Sequence, residues 1–312
     1  MEASTEQELH AALEASLHYG PSYERAGLSL SSHLPMVLTA LWRLEAPAAA
    51  LERQLALWAQ RLPAAAPRDT AAAPARLHEL LPRMLAAPET AAFHDAIRVA
   101  YALESGHDAE LAAALASYVA GRRTLGPLPP FAREPRPLRE VVERARREPT
   151  LAMAPRNNTT IMSDMAAAQE LPGFAVLVAL AQPTLDELAE ASLAVYLATH
   201  DFTALHLVTG CHAVRVLLCH APELDRDGEG QVLRALWRAW LAAYVAIGKP
   251  APDWDAVHGG SASEGDWRAA LPALHASIND HRIKLADAAR QEWRLRGWPG
   301  YARCLEAQGA AR

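Results

Sequence analysis

The decapeptide DHRIKLADAA places His281 and Lys284 three positions apart inside an otherwise apolar helical pattern, so the two share one helix face. In an ordinary amphipathic helix Lys284 would lead its ammonium out to water along its methylene stem. Elsewhere histidine is the residue type that stands out: there are 13, several within apolar helical stretches, where an unpaired imidazole is costly to bury. A single buried histidine is usually a hydrogen-bonded core residue. Four or more on separate helices point instead to a metal centre, because helix bundles build such centres from inward-facing side chains and iron, copper and zinc all accept imidazole.

Helical spacing narrows the candidates. In FHDAIRVAYALES, His94 lies beside an apolar stripe of Phe93, Ile97 and Tyr101, with Arg98 one turn on. The planar fork of Arg98 suits a substrate carboxylate or enolate; a salt bridge to Asp95 or Glu104 is the commoner role for a helical arginine. In LSLSSHLPMVLTALWRL, His33 comes just before a helix that Pro35 is suited to open. The segment HDFTALHLVTGCHAVRVLLCH carries His200, His206, His212 and His220. A spacing of six turns a side chain by about 120° around a helix, so one metal does not easily take both His206 and His212. His206 sits deepest in the apolar part, His200 and His220 border the helix ends, and His212 is an alternative. Asp280 suits either a hydrogen bond to a ligating imidazole or a helix cap. Tyr101 and Trp42 suit either an aromatic pocket or core packing.

Side chains that converge in this way need rigid helices to carry them. The chain is dense in Ala, Leu, Arg and Glu and sparse in β-branched and aromatic residues, which favours helix almost everywhere. Helices are expected to start near Thr5, Leu34, Ala48, Ala75, Ala91, Asp108, Leu138, Leu185, Phe202, Gly230 and Asp266. The last should run through DHRIKLADAA towards Trp293. Prolines punctuate many of the boundaries, no segment alternates convincingly with period two, and helical pairs recur without a fixed period. The expected architecture is all-α: an irregular multi-helix bundle of helical pairs enclosing a central pocket, one domain spanning residues 1–312. Flexible connections are expected near 126–137 and 155–164. The second, inside APRNNTTIMSDM, is polar, reads poorly as a helix start and would suit a loop over a pocket.

Several chemistries lack their signatures. There is no GxGxxG after a strand, no GxxxxGK[ST] and no GxSxG, so dinucleotide, P-loop and hydrolase-elbow fingerprints are missing. The net charge of -6 and a pI near 6 argue against nucleic acid or an anionic membrane as partner. The basic run RARREP is short and borders glutamates, as a solvated helix end would. Cys211, Cys219 and Cys304 have no CxxC spacing, which indicates neither a disulfide framework nor a zinc ribbon. No basic-then-apolar leader opens the chain and no uninterrupted apolar run approaches membrane-spanning length. The expectation is a soluble cytoplasmic protein with a small-molecule substrate.

Taken in order, LSLSSHLPMVLTAL, FHDAIRVAYA, LHLVTGCHAVRVLL and DHRIKLADAARQEW make the chain resemble the questin oxidase-like family, from about residue 16 to 295. The resemblance implies a flavin-independent oxygenase acting on anthraquinone-type polycyclic aromatics of polyketide biosynthesis, by Baeyer-Villiger-type insertion or oxidative ring cleavage. It further implies a non-haem Fe(II) centre with O2 as co-substrate, held by His33, His94, His206 and His281. Lys284 is implied as a further ligand once carboxylated. Part of the family requires NADPH, for which this sequence shows no motif. The linker between His33 and His94 is compact beside fungal-type relatives, which bears on pocket shape and leaves the ligand motifs intact. The chemistry is coherent with the residues: no HxD or HxE faces a distant histidine, so a 2-His-1-carboxylate triad lacks its carboxylate, and a lysine carbamate would supply an anionic oxygen. Its formation needs a neutral amine, which burial favours.

Two other readings compete. The pairs His94-Asp95 and His200-Asp201 would suit an HD-type metal-dependent phosphohydrolase, which leaves His33 and Lys284 unused. A non-catalytic helical-repeat scaffold would leave the histidines merely packed or exposed.

Overall fold

The computed structural model describes residues 2–65, 73–121, 123–130, 132–154, 156–157 and 159–306. Among these the chain is predominantly helical, as its composition requires. The first half holds α1 (Glu2–Ser16), α2 (Leu34–Arg43), α3 (Ala48–Ala59), α4 (Ala73–Leu85), α5 (His94–Ser105), α6 (Asp108–Gly121) and α7 (Leu138–Arg147). The second holds α8 (Ile161–Gln169), α9 (Phe174–Leu180), α10 (Leu185–Thr199), α11 (Phe202–Cys219), α12 (Arg226–Ala246), α13 (Trp254–His258), α14 (Glu264–His275) and α15 (Asp280–Arg296).

Four of these helices form a closed cycle: α2 packs on α5, α5 on α11, α11 on α15, and α15 back on α2. The cycle closes because α11 is apolar nearly all round, with every residue from Ala204 to Val214 buried, the pattern of a core helix. Although α11 is long and apolar enough to cross a membrane, 72% of it is buried inside this fold. Close approach of α5 to α11 depends on Gly210, where a Cβ would lie 2.8 Å from the Phe93 ring. A polar clasp ties the cycle together deeper down. Arg43 of α2 pairs with Glu104 of α5 and, at 3.5 Å, with Asp287 of α15, and the Tyr101 hydroxyl donates to the Lys284 carbonyl at 3.3 Å.

Four expectations need correction. The segment SYERAGLSLS forms a short antiparallel hairpin, β1 (Ser22–Arg25) with β2 (Leu28–Ser31), pairing Ser22 with Ser31 and Arg25 with Leu28. Its Ala26-Gly27 turn has φ of 53° and 77°, the positive values a two-residue hairpin turn needs. Four-residue strands with little burial carry no period-two stripe to read. The helix expected from Asp266 onward breaks after His275, because Asn279 caps a new helix by accepting from the N–H groups of His281 and Arg282. The helix expected at Ala91 starts instead at His94, after Ala91, Ala92 and Phe93 have all taken left-handed backbone. Finally, APRNNTTIMSDM, which reads poorly as a helix start, does start one: Thr160 and Ser163 form a reciprocal capping box that opens α8, and α8 packs on α12, while residues 155 and 158 lie outside the described residues. In the other connection, 126–137, residue 131 lies outside the described residues. Arg238 donates to the Gly126 carbonyl and Arg234 to the Pro129 carbonyl there.

Candidate metal centre

The N-terminal ends of the four cycle helices meet at one point, and each brings a histidine. His33 is the residue just before α2, which Pro35 helps open. His94 is the first residue of α5; His206 lies in the second turn of α11 and His281 in the first turn of α15. One ring nitrogen from each of His33, His94 and His281 lies within 4.8 Å of the others. The His206 and His94 Nε2 atoms are 3.3 Å apart, which brings the fourth imidazole to the same place. The rings of His33 and His94 stack at 4.7 Å, while His281 meets His33 edge-on at 4.6 Å.

Every one of the four has its Nδ1 already committed. His94 Nδ1 donates to the Ala91 carbonyl at 2.6 Å, which the left-handed turn carries to it. His206 Nδ1 donates to the Phe202 carbonyl, one turn back, at 2.8 Å. Asp280 serves the other two through a single oxygen: Oδ2 accepts from His33 Nδ1 and, at 3.2 Å, faces His281 Nδ1. Carbonyls and carboxylates only accept, so the Nδ1 atoms carry the protons and the Nε2 lone pairs are left facing inward. His281 Nε2 is buried without a partner.

Burial keeps the imidazoles neutral. Desolvation, joined by the nearby Lys284 charge and outweighing Asp280, drives His33 down to about 3. Desolvation likewise holds His94 and His206 well below the ordinary histidine value and lowers His281. The Lys284 charge depresses all four, as expected of a buried ammonium one turn from His281 on the same helix. Lys284 itself is 2% exposed, and desolvation lowers it to about 8, against a smaller opposing pull from Asp280. Burial alone would raise Asp280; hydrogen bonds from His281 and His33 hold it well below the usual carboxylate range.

This donor set fits a transition metal. Two neutral nitrogens with facing lone pairs 3.3 Å apart repel unless a cation lies between. Nitrogens about 2.1 Å from one metal at a bond angle near 100° would themselves stand about 3.2 Å apart. The occupied Nδ1 atoms match the outer hydrogen bonds that orient metal-bound histidines.

Other candidates are engaged elsewhere. His212 hydrogen-bonds Glu292 at 2.7 Å, next to Arg215; His200 ends α10 against Tyr196, and His220 ends α11. Arg98, expected as an anion-binding group, is closed on Glu110 through two bonds of 2.7 and 3.0 Å. Its partner is neither Asp95 nor Glu104. Tyr101 and Trp42 pack against the core. Asp201 caps α11 while His200 turns to Tyr196, so that HD pair does not converge on one point. Two contributors were absent from the sequence reading: the left-handed turn at 91–93, which has no glycine to signal it, and Phe202, whose ring touches those of His206 at 4.9 Å and His281 at 4.6 Å.

Fold and site together define a helical protein with a buried four-imidazole centre and an adjacent buried lysine. The family model described as questin oxidase-like matches residues 74–289, more than half of the chain, and the protein belongs to that family. Membership implies an oxidoreductase of polyketide metabolism and sets aside the phosphohydrolase and scaffold readings. The match begins after His33, so the inclusion of that residue rests on its position beside His94 and His281. No curated protein matches the chain.

Proposed function

We propose that the protein is a non-haem iron oxygenase that uses O2 to oxidise a polycyclic aromatic polyketide of the anthraquinone type, by ring cleavage or Baeyer-Villiger-type insertion. The observation that carries this reading is the pair of inward lone pairs on His94 and His206, 3.3 Å apart in surroundings that keep both rings neutral. His33, His94, His206 and His281 would hold Fe(II) through Nε2. Bound iron supplies the one-electron chemistry by which O2 reacts with a closed-shell aromatic ring.

The protein's own groups do the rest. Asp280 fixes the Nδ1 protons of His33 and His281 and so keeps both Nε2 lone pairs directed inward. With Lys284 near 8, roughly a tenth of it is neutral amine at pH 7, enough to add carbon dioxide and release a proton, giving a carbamate that would offer an anionic oxygen to the metal. His33, His94 and His281 lie at helix N-termini, whose partial positive charge favours a carbamate and an ionised phenol of the substrate. The free cysteines suit a reducing compartment such as the cytoplasm.

Elemental analysis of protein purified without oxygen tests the reading. Iron should be present near one atom per chain and its removal should abolish oxygen consumption with an anthraquinone-type phenol. Full turnover without iron would refute it, and zinc with phosphatase activity would redirect it. Labelled bicarbonate should yield a carbamate carbon resonance that K284R lacks.

A further inference from the structure

Phe202 is one of few large apolar side chains that are exposed among the described residues, at 51%. A single exposed phenylalanine is unremarkable. What distinguishes this one is where its ring lies: against the imidazoles of both His206 and His281, at 4.9 and 4.6 Å between centroids, with its outer side open to solvent. Its backbone is fixed. Asp201 caps the residues that follow, accepting from the N–H groups of Thr203 and Ala204, and the Phe202 carbonyl holds His206 Nδ1. Ile278, 63% exposed, stands three residues before His281 and adds apolar surface to the segment leading into α15. On the opposite flank the buried Trp58 lies 6.0 Å from His33, with Tyr23 of the hairpin 5.6 Å from it.

We infer that Phe202 is the substrate-contacting outer wall of the centre, stacking its open face on a planar fused-ring substrate and selecting it over single-ring compounds. The inference rests on the aromatic oxidation proposed above. A ring anchored at its backbone and unpacked on one face pairs with another flat ring in offset or edge-on geometry at little ordering cost. It also explains why so large an apolar group is left exposed beside neutral imidazoles.

The test is calorimetric binding of alizarin, a three-ring diol, and of catechol, which carries the same diol on one ring, to iron-loaded and metal-free protein. F202A and F202L should weaken alizarin about three- to tenfold and catechol far less, F202W should restore alizarin, and iron content should equal that of the wild type. Unchanged alizarin affinity in F202L, or equal weakening of both probes, overturns the inference. If the wild type binds no iron while the contrast between probes persists, the wall stands and the metal reading fails.

Discussion

Replacing Asp280 by alanine removes the acceptor shared by His33 and His281, and the consequences can be worked out from the hydrogen bonds. Loss of one such outer partner costs a metal site about 10- to 100-fold in affinity. Here two imidazoles lose theirs at once, so D280A should weaken iron binding by about a hundredfold or more. D280N separates charge from geometry. Both contacts go to one oxygen, Oδ2, so an amide oxygen in its place still accepts from both rings and only the charge is lost. Charge-assisted bonds are about twice as strong as neutral ones, so D280N should lose roughly half the free energy, about tenfold in affinity. The metal-free fold should also lose stability in D280A, because the bonds from His33 and His281 outweigh the cost of burying this carboxylate, so the metal-linked part is read as the difference between unfolding with and without iron. With metal in excess, a hundredfold loss removes about 2.7 kcal/mol of metal-linked stabilisation. The assay is thermal unfolding with and without iron, together with competition against a chelator. A D280A affinity within about threefold of wild type, or equal losses in D280A and D280N, would refute the role given to this carboxylate.

Further outcomes follow from neighbouring groups. The folded-state pKa of Lys284 is lowered from 10.5 to about 8, so its charge opposes folding at neutral pH and the metal-free protein should gain stability as pH rises from 8 to 10.5. K284M should remove that slope, stabilise the metal-free fold by up to about 3 kcal/mol and still lower iron affinity; a destabilised K284M would contradict this. Arg98 and Glu110 form a buried bidentate pair, so R98A should cost about 3–5 kcal/mol in denaturant unfolding, and R98M/E110L should recover most of it. Iron content of the refolded double variant should be normal; a specific loss of aromatic binding there would return Arg98 to the site. Burial would raise Glu292, but His212, Arg215 and Arg296 lower it from 4.5 to about 2. Its contribution of about 3 kcal/mol is complete above pH 4.5 and disappears as pH falls towards 2, a loss that E292Q should not show in acid titration of stability.

The sequence by itself determined the helical class and most helix starts, because Ala, Leu, Arg and Glu leave few alternatives and Pro35 and Asp201 mark beginnings by local chemistry; the start expected near Gly230 lies four residues earlier, at Arg226, where Asp225 caps it. It also brought forward His33, His94, His206, His281 and Lys284, since ordered motifs around them survive as text. Tertiary structure decided the rest. Which of His206 and His212 joins the centre depends on what the facing helices present: α5 offers His94 to one, α15 offers Glu292 to the other. Arg98 was taken by Glu110, twelve residues on and on a packed neighbouring helix that no local spacing reveals. The left-handed turn at 91–93 has no glycine to announce it and is held by what surrounds it, including the Phe93 ring against Gly210. The double use of one Asp280 oxygen is equally invisible in a linear chain. Helix propensity and capping act within a few residues and can be read from sequence; the direction of a lone pair is fixed by acceptors that only folding brings within reach.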